Sequence, residues 1–160
     1  MALKIKGNIK MRKEASLSII ENVKNNTVLM IKHKRGINNG YVNFPGGKKE
    51  PNETMVDCVI RETFEETGLK ISNPKKVGYI EFPTMDFYVT IFKSTEYEGT
   101  LSNNPEEVDA FWQNIKAIPY DKMRTADADF VPLVMAGHEV NKQYFYDEQF
   151  NLVKIVDLSR

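Results

Sequence analysis

The feature that most restricts the fold of this chain is residues 46–71, GGKKEPNETMVDCVIRETFEETGLKI, where two glycines precede a segment crowded with carboxylates. Three of the carboxylates, Glu62, Glu65 and Glu66, are spaced i, i+3 and i+4. On an α-helix this spacing places them on one face, within an arc of about 100°. Because like charges held this close repel each other, the fold must present this helix face where something neutralises it.

The same segment carries signals for both ends of a helix. Thr54 is suited to be the N-cap, with Asp57 three residues later as an approximate capping box. Gly68 stands where the glycine that ends a helix belongs. The residues predicted to face the core recur at helical spacing and are Val56, Val59, Ile60, Thr63 and Phe64.

Oxygen ligands without histidine or cysteine favour Mg²⁺, Mn²⁺ or Ca²⁺ over zinc, and Mg²⁺ binds through a few carboxylates together with substrate phosphates. The glycine pair Gly46 and Gly47 allows close backbone approach, and Lys48 beside it is placed to contact phosphate. These residues predict a divalent-metal site for a phosphorylated ligand. The alternative is a solvated surface helix whose acidic residues are screened by Arg61 and Lys70.

Composition narrows the class of ligand. Lys and Arg number 22 and Asp and Glu number 22 in 160 residues, so no net field favours long nucleic acid or an anionic membrane. The length predicts a single domain over residues 1–160. Cys58 is the only cysteine, which excludes an internal disulfide and suits a reducing, cytoplasmic location. No apolar run at the start is long enough to predict a signal peptide or a membrane-spanning helix.

The rest of the chain predicts strands interleaved with one more helix. Strands are expected at residues 15–21, 27–33, 41–44, 77–82, 87–92, 108–112, 144–146 and 152–156, with hairpins at the first and last pairs and polar loops at 34–40 and 98–107. The second helix is predicted over 126–140, with Phe130, Val131 and Val134 facing inward. Residues 1–13 are an edge strand or a frayed end. This pattern predicts an α/β (α+β) fold, a mixed sheet with helices on its faces.

From Gly47 the chain reads G-x5-E-x7-R-E-T-F-E-E-T-G-L. This pattern resembles the Nudix signature, G-x5-E-x7-R-E-U-x-E-E-x-G-U, where U is a bulky aliphatic residue. Every fixed position matches, and the one departure is Thr63 at the first U position. A match of this length is far more specific than the helix spacing alone.

The resemblance implies an α/β/α sandwich with a central mixed β-sheet, and a loop–helix–loop that binds Mg²⁺, or Mn²⁺, and a diphosphate. By position, it implies that Glu62, Glu65 and Glu66 are metal ligands, one of them serving as base. It also implies the carbonyl of Gly47 as an additional ligand, and Glu53 and Arg61 as residues that orient the carboxylates. Most members cleave a nucleoside diphosphate linked to another group.

The flanks carry a weaker resemblance over residues 15–157. KRGINNGYVNFPGGK, residues 34–48, is similar to the entry loop of MutT-type nucleoside triphosphate pyrophosphohydrolases, and the segment from Glu107 through IPYDKM is similar to the eukaryotic 8-oxo-dGTP diphosphatases. This likeness implies that Asn43 contacts the base, that Glu107 helps at the metal site and that Asp127 reads the purine. The stretch after Met123 lacks the Trp and one of the two Asp residues of those enzymes.

Each of these three residues also has a structural alternative. Asn43 can hydrogen-bond the turn before Pro45, Glu107 can be a loop charge, and Asp127 can cap the second helix.

Three functions compete. The first is Mg²⁺-dependent hydrolysis of a nucleoside triphosphate, oxidised or unmodified, to the monophosphate and pyrophosphate, with Gly46 and Lys48 contacting phosphate. The second is hydrolysis of another substrate such as ADP-ribose, a dinucleoside polyphosphate or an RNA 5′ end. The third is a non-catalytic nucleotide-sensing module. The expected partner is a small nucleotide, without membrane or long nucleic acid, and the chain is expected to be a monomer or a homodimer.

Overall fold

The computed structural model describes residues 12–102 and 106–159. The strands are β1 (Lys13–Asn22), β2 (Thr27–His33), β3 (Val42–Asn43), β4 (Gly46–Lys48), β5 (Leu69–Ser72), β6 (Lys75–Phe82), β7 (Phe87–Ser94), β8 (Glu96–Gly99), β9 (Val108–Asn114), β10 (Val140–Tyr146) and β11 (Leu152–Asp157). The helices are α1 (Met55–Thr67) and α2 (Thr125–Met135), with short 3₁₀ turns at Pro83–Met85, Ile115–Ala117 and Tyr120–Lys122. In this part of the chain no helix is both long and apolar enough to cross a membrane.

Nine of the strands form one mixed sheet. Its order is β11-β10-β6-β7-β1-β2-β3, with β4 paired to β1 and β9 paired to β2. The β1–β7 and β6–β10 pairs are parallel, and the other pairs in this sheet are antiparallel. Both expected hairpins, β1–β2 and β10–β11, are present. The mixed sheet predicted from the sequence is therefore confirmed.

The two helices cover opposite faces of this sheet. Successive strand side chains point to opposite faces, and β1 follows this rule, because Ile19 belongs to one core cluster and Ile20 to the other. The Ile19 cluster includes Phe130 of α2, and the Ile20 cluster includes Val59 of α1. The expected α/β/α sandwich is confirmed, with β1 buried at its centre.

Both ends of α1 lie where the sequence predicts them. The Thr54 Oγ accepts a hydrogen bond from the Asp57 N–H at 3.0 Å, and an Asp57 carboxylate oxygen accepts from the Thr54 N–H at 3.3 Å. Gly68 ends the helix with φ 79°, and its N–H donates to the Phe64 carbonyl at 2.8 Å. Glycine is suited to this left-handed conformation because it carries no Cβ.

The core-facing side of α1 is partly wrong in the sequence prediction. Val59 and Thr63 are buried as expected and Ile60 is partly buried, but Val56 is 42% exposed and Phe64 is 57% exposed. The buried residues of the helix are Cys58, Val59, Thr63 and Thr67. The helix is rotated so that Glu62 and Glu66 are partly buried, and this rotation turns Phe64 toward solvent.

Other differences concern element bounds. Helix α2 ends at Met135 rather than at residue 140, because Gly137 adopts φ 93° and Val140 already begins β10. Phe130, Val131 and Val134 are buried, as predicted. The β5–β8 pair was not predicted, and its second strand overlaps the start of the polar loop expected at 98–107. Of the predicted edge strand or frayed end at residues 1–13, residues 1–11 lie outside the described part, and Lys13 begins β1.

Candidate active site

The glycine pair brings β4 against both β1 and α1. Gly46 and Gly47 are paired with Leu17 and Ser16 of β1. A Cβ on Gly46 would overlap the Ser16 carbonyl oxygen, and a Cβ on Gly47 would collide with the Glu62 carboxylate. The absence of side chains at both positions is therefore what allows this close approach, as the sequence predicted.

Arg61 contacts five acidic or backbone groups around the helix, among them the Glu50 carboxylate in an ion pair of 3.2 Å. Its Nε and one terminal nitrogen donate to both oxygens of Glu53, at 3.0 and 2.8 Å. The other terminal nitrogen donates to Glu62 at 2.9 Å and to Glu65 at 3.3 Å. The terminal nitrogen that binds Glu53 also donates to the Lys48 carbonyl at 3.0 Å. This planar fork fixes the position of several carboxylates at once, which is the arrangement expected of an orienting residue.

The carboxylates of this region differ in how readily they ionise. The hydrogen bonds from Arg61 lower the pKa of Glu53 to about 2. Burial raises the pKa of Glu66 to about 8; the hydrogen bond from the Gly46 N–H, at 2.8 Å, opposes that rise, and the charges of Glu62, Glu107 and Glu65 add to it. Burial also raises the pKa of Glu62, against the attraction of Arg61. The inner face of α1 therefore resists carrying its full negative charge.

A divalent cation fits these residues. Burial and mutual repulsion of Glu62 and Glu66 are both relieved by a nearby positive charge, and all available donors are hard oxygens, including the Gly47 carbonyl. Glu107 interacts electrostatically with these carboxylates, because its negative charge contributes to raising the pKa of Glu66. Across residues 12–102 and 106–159 no three acidic, His or Cys side chains already converge in a metal-binding arrangement, and Glu62 and Glu65 are instead held by Arg61. We call this group the carboxylate site; its members are Gly46, Gly47, Glu53, Arg61, Glu62, Glu65, Glu66 and Glu107.

A second feature lies on the α2 face of the sheet. It is a pocket of about 470 Å³ whose walls are mostly apolar and aromatic, and we call it the aromatic pocket. Asn43 and Asp127 both line it, so the structure brings together the two residues predicted to contact the base. Leu17 also lines it, and Leu17 is the strand partner of Gly46. One strand pair, β1 and β4, therefore connects the aromatic pocket with the carboxylate site.

The two base-contact candidates are held differently. The Asn43 side-chain oxygen accepts from the Phe44 N–H at 2.8 Å, so the hydrogen bond of the turn-stabilising alternative is present. In the described part of the chain the Asn43 amide nitrogen makes no hydrogen bond, and the base contact stays a prediction. The capping alternative for Asp127 is wrong, because Arg124 occupies the N-cap of α2 and Asp127 lies inside the first turn. Within the described residues the Asp127 carboxylate makes no hydrogen bond or ion pair. Burial raises its pKa to about 7, against the opposing charge of Arg124.

Sequence reasoning missed Arg124 as a functional residue. It lines the aromatic pocket, its guanidinium lies 4.0 Å from the centroid of the Tyr41 ring, and it donates to the Ile37 carbonyl at 2.8 Å and the Asn38 side chain at 3.1 Å. Arg124 thereby ties the loop between β2 and β3 to α2. Its only signal in the sequence was its place after Met123, where the resemblance led us to expect a Trp.

The remaining predicted residues lie at the rim of the carboxylate site. Lys48 ends β4 with an exposed side chain, and its carbonyl is bound by Arg61. Glu107 is half exposed and forms an ion pair with Arg35 at 2.8 Å. Both residues are placed beside the carboxylates, and the phosphate and metal contacts expected of them stay predictions.

Comparisons with known proteins agree on one family. The family model described as NUDIX domain matches residues 11–134. The oxidized purine nucleoside triphosphate hydrolase of Danio rerio is 31% identical over 147 residues, covering 82% of this chain and 94% of that protein. The protein of the same description from Mus musculus is 31% identical over 128 residues, covering 76% of this chain and 80% of its own length. The crystal structure of a MutT protein from Bacillus halodurans shares the fold, with a TM-score of 0.75 at 23% identity over 90% of this chain and 96% of that one.

Proposed function

The chain belongs to the Nudix hydrolase family, and from that premise we propose that it is a Mg²⁺-dependent pyrophosphohydrolase of nucleoside triphosphates, with an oxidised purine nucleoside triphosphate as its preferred substrate. The observation that carries the proposal is the adjacency of two unlike sites. A carboxylate site suited to a metal and a diphosphate is joined through the Leu17–Gly46 pair to an aromatic pocket suited to a planar base. A nucleotide has these two chemistries at its two ends.

The reaction proposed is a single hydrolysis. A water oxygen bonds to phosphorus, the anhydride bond between the α- and β-phosphates breaks, pyrophosphate and the nucleoside monophosphate separate, and a water proton passes to a carboxylate of α1. When bound, Mg²⁺ neutralises phosphate oxygens and lowers the pKa of a bound water.

Roles in this reaction follow from the positions of the residues. Glu62, Glu65, Glu66, Glu107 and the Gly47 carbonyl would hold the metal. Arg61 and Glu53 are assigned as positioning residues, since their hydrogen bonds hold the helix carboxylates in place. Lys48 and the backbone at Gly46 are placed to contact phosphate. Much of the rate gain should be electrostatic and positional, because these groups are already oriented before the substrate binds.

The aromatic pocket supports a purine as the base. The amide nitrogen of Asn43 can donate to a base carbonyl or ring nitrogen, and the Asp127 carboxylate can accept from a base N–H. The aromatic walls, including Phe82 and Phe87 with ring centroids 6.0 Å apart, offer apolar area to the faces of the rings. The two relatives described as oxidized purine nucleoside triphosphate hydrolases make that substrate the first to test.

A phosphate-release panel with Mg²⁺ tests the proposal. It would cover the unmodified dNTPs and NTPs and 8-oxo-dGTP, each with and without added inorganic pyrophosphatase. ADP-ribose would be assayed with added alkaline phosphatase, which releases phosphate from the products AMP and ribose 5-phosphate but not from ADP-ribose itself. We expect the highest kcat/KM for the oxidised purine triphosphate, with phosphate detected only when pyrophosphatase is present. Cleavage of ADP-ribose without turnover of any triphosphate would contradict the proposed substrate, and nucleotide binding without any turnover would favour a sensing module instead.

A further inference from the structure

The turn between β10 and β11 holds a phenylalanine in a backbone conformation that its side chain disfavours. Five non-glycine residues in the described chain have positive φ, and four of them are Asn or Asp: Asn26, Asn52, Asn73 and Asp86. The fifth is Phe150, with φ 61°. Asn and Asp tolerate the left-handed region, whereas a bulky residue there is uncommon and must be held by its surroundings.

Asp147 supplies the contacts that hold this turn. One of its carboxylate oxygens accepts from the N–H groups of Gln149 and Asn151, both at 2.9 Å. The Phe150 N–H donates to the Asp147 carbonyl at 3.1 Å, and the Asp147 N–H donates to the Asn151 carbonyl at 2.9 Å. The backbone around Phe150 is therefore fixed by hydrogen bonds, and the unfavourable φ is part of a defined turn.

The Phe150 side chain does not use this conformation to enter the core. It is 59% exposed, yet it lines the aromatic pocket. Ile37, from the loop between β2 and β3, also lines this pocket and is 74% exposed. Two separate loops thus each leave a large apolar side chain at one pocket, partly in water. Strain that brings no burial within the protein points to a function outside folding, and here the nearest unfilled space is the pocket itself.

We propose that Phe150 is a specificity-determining residue that covers the base of a bound nucleotide, with Ile37 contributing to the same apolar rim. This inference rests on the proposed function, because the ligand is the nucleotide assigned above. A base presents a planar face of the kind that aromatic side chains stack on, and covering it would remove the exposed surface of Phe150 from water. Phe150 has no charge and no hydrogen-bonding group, so its contribution should be restricted to ligands that carry a base.

Phe150→Asn tests the proposal, because asparagine accepts the left-handed conformation and replaces the aromatic ring with a small amide. The matched control is Val153→Thr on the adjoining strand β11, which is 62% exposed and does not line the aromatic pocket. Calorimetric titrations with Mg²⁺ would use two probes, a purine nucleoside monophosphate and inorganic pyrophosphate. We expect Phe150→Asn to weaken monophosphate binding by about fivefold to tenfold and to leave pyrophosphate binding unchanged. Val153→Thr should change neither, and the Tm of Phe150→Asn should equal or exceed that of the wild type.

Three results would overturn the proposal. The first is monophosphate binding by Phe150→Asn within twofold of the wild type. The second is an equal weakening of monophosphate and pyrophosphate binding, which would indicate a general disturbance of the fold. The third is a wild-type protein that binds no purine nucleoside monophosphate. Failure of the proposed function is seen separately, as a wild-type protein that binds the monophosphate with the expected dependence on Phe150 but turns over no triphosphate.

Discussion

The carboxylate site and the aromatic pocket lie on two sides of one strand pair and satisfy their polar groups in opposite ways. In the carboxylate site, Arg61 and the Gly46 N–H already bind most of the acidic oxygens. In the aromatic pocket, the Asp127 carboxylate has no partner among the described residues, and most of the wall is apolar. The first site is oriented before any ligand arrives, and the second leaves its contacts for the ligand to complete.

This difference predicts different consequences of mutation. Groups that are fixed before binding act mainly on the rate, because no further free energy is needed to orient them when the transition state forms. Groups that are completed by the ligand act mainly on affinity and selectivity. Substitutions in the carboxylate site should therefore lower kcat, and substitutions in the aromatic pocket should raise KM.

Glu66→Gln should have the largest effect. Glutamine keeps an acceptor for the Gly46 N–H but cannot carry the negative charge, so we expect kcat to fall by about 10²- to 10⁴-fold with the fold intact. Steady-state kinetics with Mg²⁺ and a thermal melt measure the two quantities. The exposed Glu98→Gln on β8 is the control and should keep full activity. A large loss of Tm, or activity close to that of the wild type, would contradict the role assigned to this carboxylate.

Arg61→Lys should come next. Lysine keeps the positive charge but not the planar fork that binds Glu53 through two oxygens while also reaching Glu62. Positioning residues around a metal site commonly cost about 10- to 100-fold when replaced, and we expect a loss in that range, mainly in kcat. Equal kcat with a raised KM would mean that Arg61 contacts the substrate directly, which would weaken the contrast between the two regions.

Asp127→Asn should act on affinity and on the pH dependence of stability. Burial raises the Asp127 pKa to about 7 from its ordinary 3.8, with Arg124 opposing. Between these two values the folded state holds a proton that the unfolded chain has released. The free energy of unfolding therefore falls as pH rises from about 4 to 7, and asparagine should remove that fall. The negative charge of Asp127 also contributes to raising the pKa of the nearby Tyr144 hydroxyl.

Urea unfolding at several pH values would measure this contribution as a difference in slope between the two proteins. In kinetics at pH 8, where Asp127 is ionised, we expect a KM about tenfold higher for the variant, since one acceptor for the base is lost. Identical slopes from pH 4 to 7 would contradict a raised pKa of Asp127 in the folded protein.

Arg124→Ala should have the smallest effect. The substitution removes the stack on Tyr41 and the bonds to the loop between β2 and β3, which loosens one wall of the aromatic pocket. We expect KM to rise about twofold to fivefold while kcat stays within twofold, which is the scale of one exposed cation–π contact. Lys122→Ala, an exposed residue of the neighbouring 3₁₀ turn, is the control. A kcat loss as large as that of Arg61→Lys would show that the two regions are mechanically coupled.

The parts of the active site that could be predicted from the sequence are those formed by residues close together in the chain. The caps at Thr54 and Gly68 and the i, i+3, i+4 spacing of the glutamates depend on helix geometry alone, so both helix ends were predicted correctly. The rotation of α1 was not predictable in the same way. Val56 and Phe64 fit an apolar stripe as well as Val59 does, and only the burial of Glu66 beneath Gly46 places them toward solvent.

The sequence by itself determined the mixed fold, the helix that carries the carboxylates and the family of the protein. Each of these follows from the spacing of residues within short segments of the chain. The tertiary structure alone decided the aromatic pocket. Its lining residues Asn43, Arg124 and Phe150 come from strand β3, the start of α2 and the β10–β11 turn, which are far apart in the chain. Arg124 meets Tyr41 across 83 positions of sequence. Contacts between such distant segments depend on how the strands pair and how the helices cover them, which no short pattern in the sequence encodes.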